Sequence, residues 1–253
     1  MYTPTASIPH EFDGVRALVT GGSRGIGAAI AQHFLDGGAA VVTTARSSTD
    51  DTPGASTFIA ADVSTAAGAQ HLVDQTLDTL GGLDVLINNA GAAQVHMGGA
   101  STIPDAEWQQ SLDVNFLAAV RVLNAALPAL KESGRGAVVN IAATGALAPP
   151  PPLLHYATAK AALLVYSQGM AKELAPSGIR VNSVTPGSVR TPGGSAVLQT
   201  IADAVGAPVE AITANIPLGR VGDPRDIAET VAFLSSTRAQ WITGQNFVVA
   251  GGE

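Results

Sequence analysis

Tyr156 and Lys160, four residues apart, are the pair in this chain whose types and spacing could move a proton. On a helix they lie one turn apart on one face. A free phenol titrates near about 10, too high for easy exchange at neutral pH. An ammonium one turn away favours the phenolate and lowers that value, which makes Tyr156 a candidate general acid or base. The same spacing also makes an ordinary helix-surface pair, so its surroundings matter. A second cluster, Thr20-Gly-Gly-Ser-Arg-Gly-Ile-Gly27, lies near the start. Its glycines permit a sharp turn, and a helix starting there points free N–H groups at a pyrophosphate. A tight turn needs no ligand, and the spacing is not the stricter dinucleotide fingerprint. Placement between a strand and a helix favours a dinucleotide, with Gly21, Ser23, Arg24, Gly25, Ile26 and Gly27 as contacts.

These residues need a frame, and the apolar pattern supplies one. Strand-like runs are expected at 17–20, 40–43, 57–60, 83–87, 137–141, 179–184 and 247–249. Helical spacing covers 26–35 (Ile26, Ile30, Phe34), 65–80, 155–174 and 226–234. A long helix is expected from Pro104 toward Ala129, with Pro128 near its end. The alternation predicts an α/β fold: a single-domain, Rossmann-type, doubly wound parallel sheet with helices on both faces. Ligands then sit at the C-terminal ends of the strands, where every candidate residue falls. Residues 188–215, rich in Gly, Ala and Thr, are the candidate substrate lid.

NAD-binding units carry an acid about 20 residues beyond the glycine turn. Here the second strand ends Thr43-Thr-Ala-Arg46, with no acid until Asp50. Arg46, with Arg24, would instead meet a 2′-phosphate by bidentate contact, unless Arg46 is simply a solvated loop residue. The two arginines together favour NADP.

Composition narrows the partners. Hydrophobic residues at 46% against 13% charged give ample material for a large core. The net charge of -7 argues against nucleic acid or an anionic membrane as partner. There is no cysteine, which excludes disulfides and thiolate ligands, and no metal site is expected. No uninterrupted apolar stretch reaches the roughly 18 residues of a membrane helix. Residues 1–13 carry no leader pattern and are read as a loose N-terminal arm before a domain spanning 14–253. A cytoplasmic protein is expected.

Further motifs fall in order: Asp62-Val63, Asn88-Asn-Ala-Gly91, Asn115, Tyr156-Ala-Thr-Ala-Lys160, Pro186-Gly187, and the closing stretch from Pro217 to Gln245. From Asp13 onward the chain resembles the short-chain dehydrogenase/reductase family, and most of all its 3-oxoacyl-carrier-protein reductases and related ketoreductases. The resemblance implies that Asp62 and Val63 hold adenine and that Asn89, Ala90 and Gly91 flank the nicotinamide ribose. Val189 and Thr191, after Pro186 and Gly187, would grip the carboxamide. Lys160 would also hold the ribose hydroxyls, and Asn115 would anchor a water linking Lys160 to solvent. A homotetramer through the two long helices and the C-terminal strand is implied as well.

One family residue is missing. A serine normally stands thirteen residues before the tyrosine; position 143 is alanine. Losing such a donor costs about 10²–10³ in rate. Thr144 is the adjacent hydroxyl and the favoured substitute, with His155 or His96 as alternatives. His155 could also simply start its helix, and His96 reads as an exposed loop residue. Pro149 to Pro152, with Leu153 and Leu154, would form a stiff apolar wall for an apolar or ring-shaped substrate, or a rigid connection. Trp108 and Trp241 are read as packing residues. The expected activity is NADPH-dependent reduction of a ketone or aldehyde, reversible toward the alcohol. A non-redox dehydratase, isomerase or cyclase on the same scaffold, or a redox-inactive NADP-binding protein, are the alternatives.

Overall fold

The computed structural model describes residues 10–253. Its strands are β1 (Arg16–Thr20), β2 (Ala40–Ala45), β3 (Thr57–Ala60), β4 (Val85–Asn88), β5 (Ala137–Ile141), β6 (Arg180–Pro186) and β7 (Asn246–Val249). They form one parallel sheet in the order β3-β2-β1-β4-β5-β6-β7. The strand order reverses between β1 and β4, so a crevice opens outside their C-terminal ends.

The central strands are apolar on both faces because helices cover both. Leu18, Leu86 and Val138 stand in register across β1, β4 and β5. They pack with α2 (Ala66–Leu80), α4 (Ala118–Ser133) and α5 (Leu154–Leu174). Their neighbours Val19, Ile87 and Val139 point the other way, toward α1 (Gly25–Asp36) and α8 (Pro224–Ser235). The near-continuous apolar runs of the sequence are the signature of such two-sided burial. Leu18, Leu86 and Leu123 are fully buried, and each truncation to alanine would cost about 2–5 kcal/mol.

The long helix expected after Pro104 is interrupted. It comprises α3 (Asp105–Leu112), a π turn over Asp113–Leu117, and α4, with Pro128 inside α4 rather than closing it. At the π turn the Ala118 N–H reaches back to the Asp113 carbonyl. The stretch Asp105–Ser133 is long and apolar enough to cross a membrane by length and composition. Here its Val122, Leu123, Ala126 and Leu130 are core residues against the sheet.

Segment 188–215 contains two helices, α6 (Pro192–Val205) and α7 (Val209–Thr213). Thr191 caps α6 by accepting the Gly194 N–H at 2.9 Å.

Two expectations are corrected. The arm expected over residues 1–13 is not loose at its described end: Phe12 is buried with its ring 4.6 Å from that of Phe34, and its N–H donates to Gly37 O. An aromatic side chain there gains more from the gap beside α1 than from water. Residues 1–9 lie outside the described residues. Trp241 is not a packing residue in the isolated chain, being 99% exposed. Trp108 is half-buried, 6.1 Å from the His155 ring.

At the N-terminal edge of the sheet, Asp84 is buried and accepts five hydrogen bonds. Three come from the Arg16 N–H and guanidinium and two from Arg135, at 2.9–3.1 Å. Burial pushes its carboxyl up, but the two arginines outweigh that and hold it well below the usual carboxylate range.

Candidate active site

The glycine turn joins β1 to α1 at the switch point of the sheet. Gly21 and Gly25 have φ of 64° and 57°, conformations that favour glycine. A Cβ at Gly21 would stand 2.9 Å from Ala90 Cα, and one at Gly27 would collide with the Gly21 carbonyl. The turn is therefore bare backbone pressed against the segment after β4. Helix α1 begins after Arg24 with no side-chain cap and no acid in its first turn. Its free N–H groups can receive an anionic pyrophosphate. The turn thus passes a test of fit for a dinucleotide on its own geometry.

The neighbouring segment is stitched to it. The Thr20 hydroxyl accepts the N–H groups of Asn89 and Ala90 at 3.0 and 3.1 Å. The Asn89 amide donates to the carbonyls of Thr20 and Gly21. Ser23 is buried, and its carbonyl accepts the hydroxyls of Thr49 and Thr52, which folds the loop after β2 over the turn. Ile26 packs on the core beside α1. Arg24 and Arg46 are both exposed.

Asp62, after β3, lies near Arg46. Its carboxylate accepts the N–H and hydroxyl of Ser64. The Ser64 bond, against some burial, holds it below the ordinary carboxylate value, and the charge of Arg46 adds to that. Val63 is buried next to it. From the other side, Pro186 ends β6, the Gly187 N–H donates to Val249 O, and Val189 is buried and bridges to Gly222. Thr191 comes so close that a Cβ at Gly25 would lie 3.1 Å from its methyl.

Tyr156 and Lys160 lie in the first two turns of α5, as expected. Lys160 is buried, and its ammonium donates to Ile141 O at 2.8 Å. Its Nζ stands 6.0 Å from the centre of the Tyr156 ring. Asn115 sits in the π turn, buried. It exchanges two hydrogen bonds with the backbone of Ala92, at 2.9 and 3.0 Å, and donates to Ser111 Oγ. A π turn pushes one residue out of the regular ladder, which suits a side chain that must bond sideways. Gly91 completes the group: a Cβ there would lie 3.0 Å from Asn115 Oδ1 and 3.4 Å from Lys160 Nζ.

The acidity of the pair differs from expectation. Burial pushes the Tyr156 phenol up to about 12 and the Lys160 ammonium down to about 8. Desolvation dominates both groups, and the ammonium bonds the Ile141 carbonyl. Tyr156 is thereby held as an acid rather than as phenolate.

Ala143 is extended and leads into a short 3₁₀ turn, Thr144–Ala146, packed against the start of α5. Thr144 is partly exposed there. His96 is not the exposed loop residue expected. Its side chain is only 15% exposed, and its Nε2 lies 2.6 Å from Glu107 Oε2. The residue missed by sequence reasoning is this Glu107, in the first turn of α3. His155 is buried between the rings of His96 and Trp108, and burial, with the nearby His96, holds its imidazole toward the neutral form.

Known proteins are similar to this chain over nearly its whole length. The family model described as enoyl-(acyl carrier protein) reductase matches residues 21–253. A 3-oxoacyl-[acyl-carrier-protein] reductase of Vibrio cholerae is 32% identical, over 96% of this chain and 98% of its own. A 2,5-dichloro-2,5-cyclohexadiene-1,4-diol dehydrogenase of Sphingobium indicum is 34% identical, over 93% and 94%. The crystal structure of a levodione reductase superposes with a TM-score of 0.89 at 27% identity, over 95% of this chain and 98% of that one. With that agreement along the whole sheet and glycine turn, the chain belongs to the short-chain dehydrogenase/reductase family, whose members are nicotinamide-dependent oxidoreductases.

Proposed function

We propose that the protein is an NADPH-dependent reductase of ketones or aldehydes, reversible toward the alcohol, working in the cytoplasm as a homotetramer. The observation that carries this reading is the meeting of the uncapped α1 terminus, the Gly91 backbone, the half-buried Tyr156 and the buried Lys160 and Asn115 at one edge of the sheet.

In this reading Gly21, Ser23, Gly25, Ile26 and Gly27 line the pyrophosphate. Asp62 and Val63 take the adenine, and Asn89, Ala90 and Gly91 the second ribose. Pro186, Gly187, Val189 and Thr191 face the carboxamide. When bound, the reduced nicotinamide supplies hydride to the carbonyl carbon. Tyr156, held protonated by its surroundings, gives its proton to the carbonyl oxygen as charge develops there. Lys160 binds the ribose hydroxyls and stabilises the phenolate left behind, and Asn115 fixes the Ala92 backbone beside it. Thr144 offers the hydroxyl that Ala143 lacks, next to an apolar wall of Pro149 to Leu154. Segment 188–215 closes over the substrate; its α6 starts at the residue that meets Gly25.

Arg24 and Arg46, exposed on the adenine side, support NADP over NAD. Charge-assisted bonds of this kind are worth about 1.5–3 kcal/mol, so Arg46→Ala should cut the NADPH:NADH preference in kcat/KM at least tenfold. Exposed Val165 on α5 and Val248 on the edge strand β7 support assembly through those surfaces.

The test is direct. Purified protein is mixed with NADPH and a panel of activated ketones, and absorbance of the reduced nicotinamide is followed. Oxidation that Tyr156→Phe abolishes supports the reductase. Tight NADPH binding with no turnover on any carbonyl would favour a non-redox enzyme or a binding protein.

A further inference from the structure

Among the described residues, one cluster of metal-ligating side chains lies outside those that the proposed function uses. His96, Glu107 and His155 offer ligand atoms that all lie within 4.8 Å of one another. They come from three segments: the loop after β4, the first turn of α3 and the start of α5. Two observations point to a ligand. First, the pair His96 Nε2 and Glu107 Oε2 is already closed at 2.6 Å and half-buried. Second, His155 is 4% exposed, and its Nδ1 is fully buried with no hydrogen-bond partner among the described residues. A buried ring nitrogen without a partner is costly and calls for an explanation.

We propose that His96, Glu107 and His155 form a site for one divalent transition-metal ion of the zinc class. Two imidazoles and a carboxylate are a ligand set that suits zinc and its neighbours, and three protein ligands leave a further position open. Ligand atoms at about 2.1 Å around a tetrahedral ion stand about 3.4 Å apart. The set therefore reaches binding geometry if the short pair parts slightly and His155 moves in from within 4.8 Å. The loop is already anchored, since the His96 N–H donates to Pro152 O at 2.9 Å. An ion here would tie the loop, α3 and the proline wall to the residue next to Tyr156. It would fix the substrate side of the site. The proposal does not depend on the reductase reading, because it concerns binding alone.

The experiment uses the full, untagged chain, stripped with a chelator and titrated with Co²⁺ without nicotinamide or substrate. One equivalent should bind with the visible absorption of a four- or five-coordinate ion, and Zn²⁺ should displace it. His96→Asn and Glu107→Gln should each weaken binding at least about tenfold, the smallest loss seen even for residues one step behind a metal. His10→Ala, which removes the exposed His10–Asp13 pair, should leave it unchanged. His155→Asn is added with circular dichroism as a check, and the first two variants carry the test if it unfolds. No Co²⁺ binding at millimolar concentration overturns the proposal. So does binding of unchanged affinity in both His96→Asn and Glu107→Gln. Either result leaves the cluster as an ion pair beside a buried ring.

Discussion

Asp84 and Lys160 are two buried charges at opposite edges of one sheet. Asp84, at the N-terminal edge, is surrounded by arginine donors that neutralise it completely. Lys160, at the C-terminal edge, has among the described residues a single carbonyl partner and no carboxylate. The first arrangement depresses a carboxyl below its usual range; the second leaves an ammonium easy to discharge, near 8. A saturated buried charge holds strands together, whereas an under-satisfied one is poised to interact with something that arrives. On the proposed function, the N-terminal edge serves stability and the C-terminal edge chemistry.

That division can be broken by experiment. Tyr156→Phe or Lys160→Met should lower carbonyl reduction by about 10²–10⁴, with urea unfolding at pH 7 not weakened. A variant that mainly loses stability would move Lys160 to the structural side. Asp84→Asn should cost about 3–5 kcal/mol in urea unfolding, since it strands two arginines, while kcat of the folded fraction stays the same. Its contribution is present above the ordinary value of 3.8 and is lost as pH falls toward the depressed folded value. Wild type should accordingly lose stability in acid more steeply than Asp84→Asn. Ala143→Ser should raise kcat, by as much as about 10² if nothing now fills the role. Thr144→Val would then separate the cases: unchanged turnover in the Ala143 background removes Thr144 from the mechanism. The smallest effect is that of pH. Lys160 is charged below about 8 and neutral above it, so kcat/KM for reduction should halve near that pH and fall beyond it. A flat profile to pH 10 would show that the charge of Lys160 does not matter.

Much of this frame was legible from residue order. β3 and β5 fall on their apolar runs with the same ends; β5 is buried on both faces, which writes an unbroken signal, whereas β3 is a half-exposed edge strand whose run is bounded by turn residues. The glycine turn was legible for a similar local reason. The π turn was not: the apolar period passes through Asp113–Leu117 without a mark, and only Asn115 bonding to Ala92 shows why the ladder slips. Nor was Glu107 readable beside His96, since no fixed spacing links a loop to a helix face. Phe12 and Trp241 exchanged the roles expected of them. A lone aromatic carries no information on which side of a surface it will fall until the gap beside α1 exists.

The π turn also sets what the chain can tolerate. It holds one more residue than an α-helical turn would, so everything on its N-terminal side is rotated by about 100° relative to a regular helix. Deleting any one residue within 113–117 would restore a regular helix and swing Glu107 a quarter-turn away from His96. Substitutions in this stretch, Asn115 apart, should therefore be accepted far more readily than changes of length.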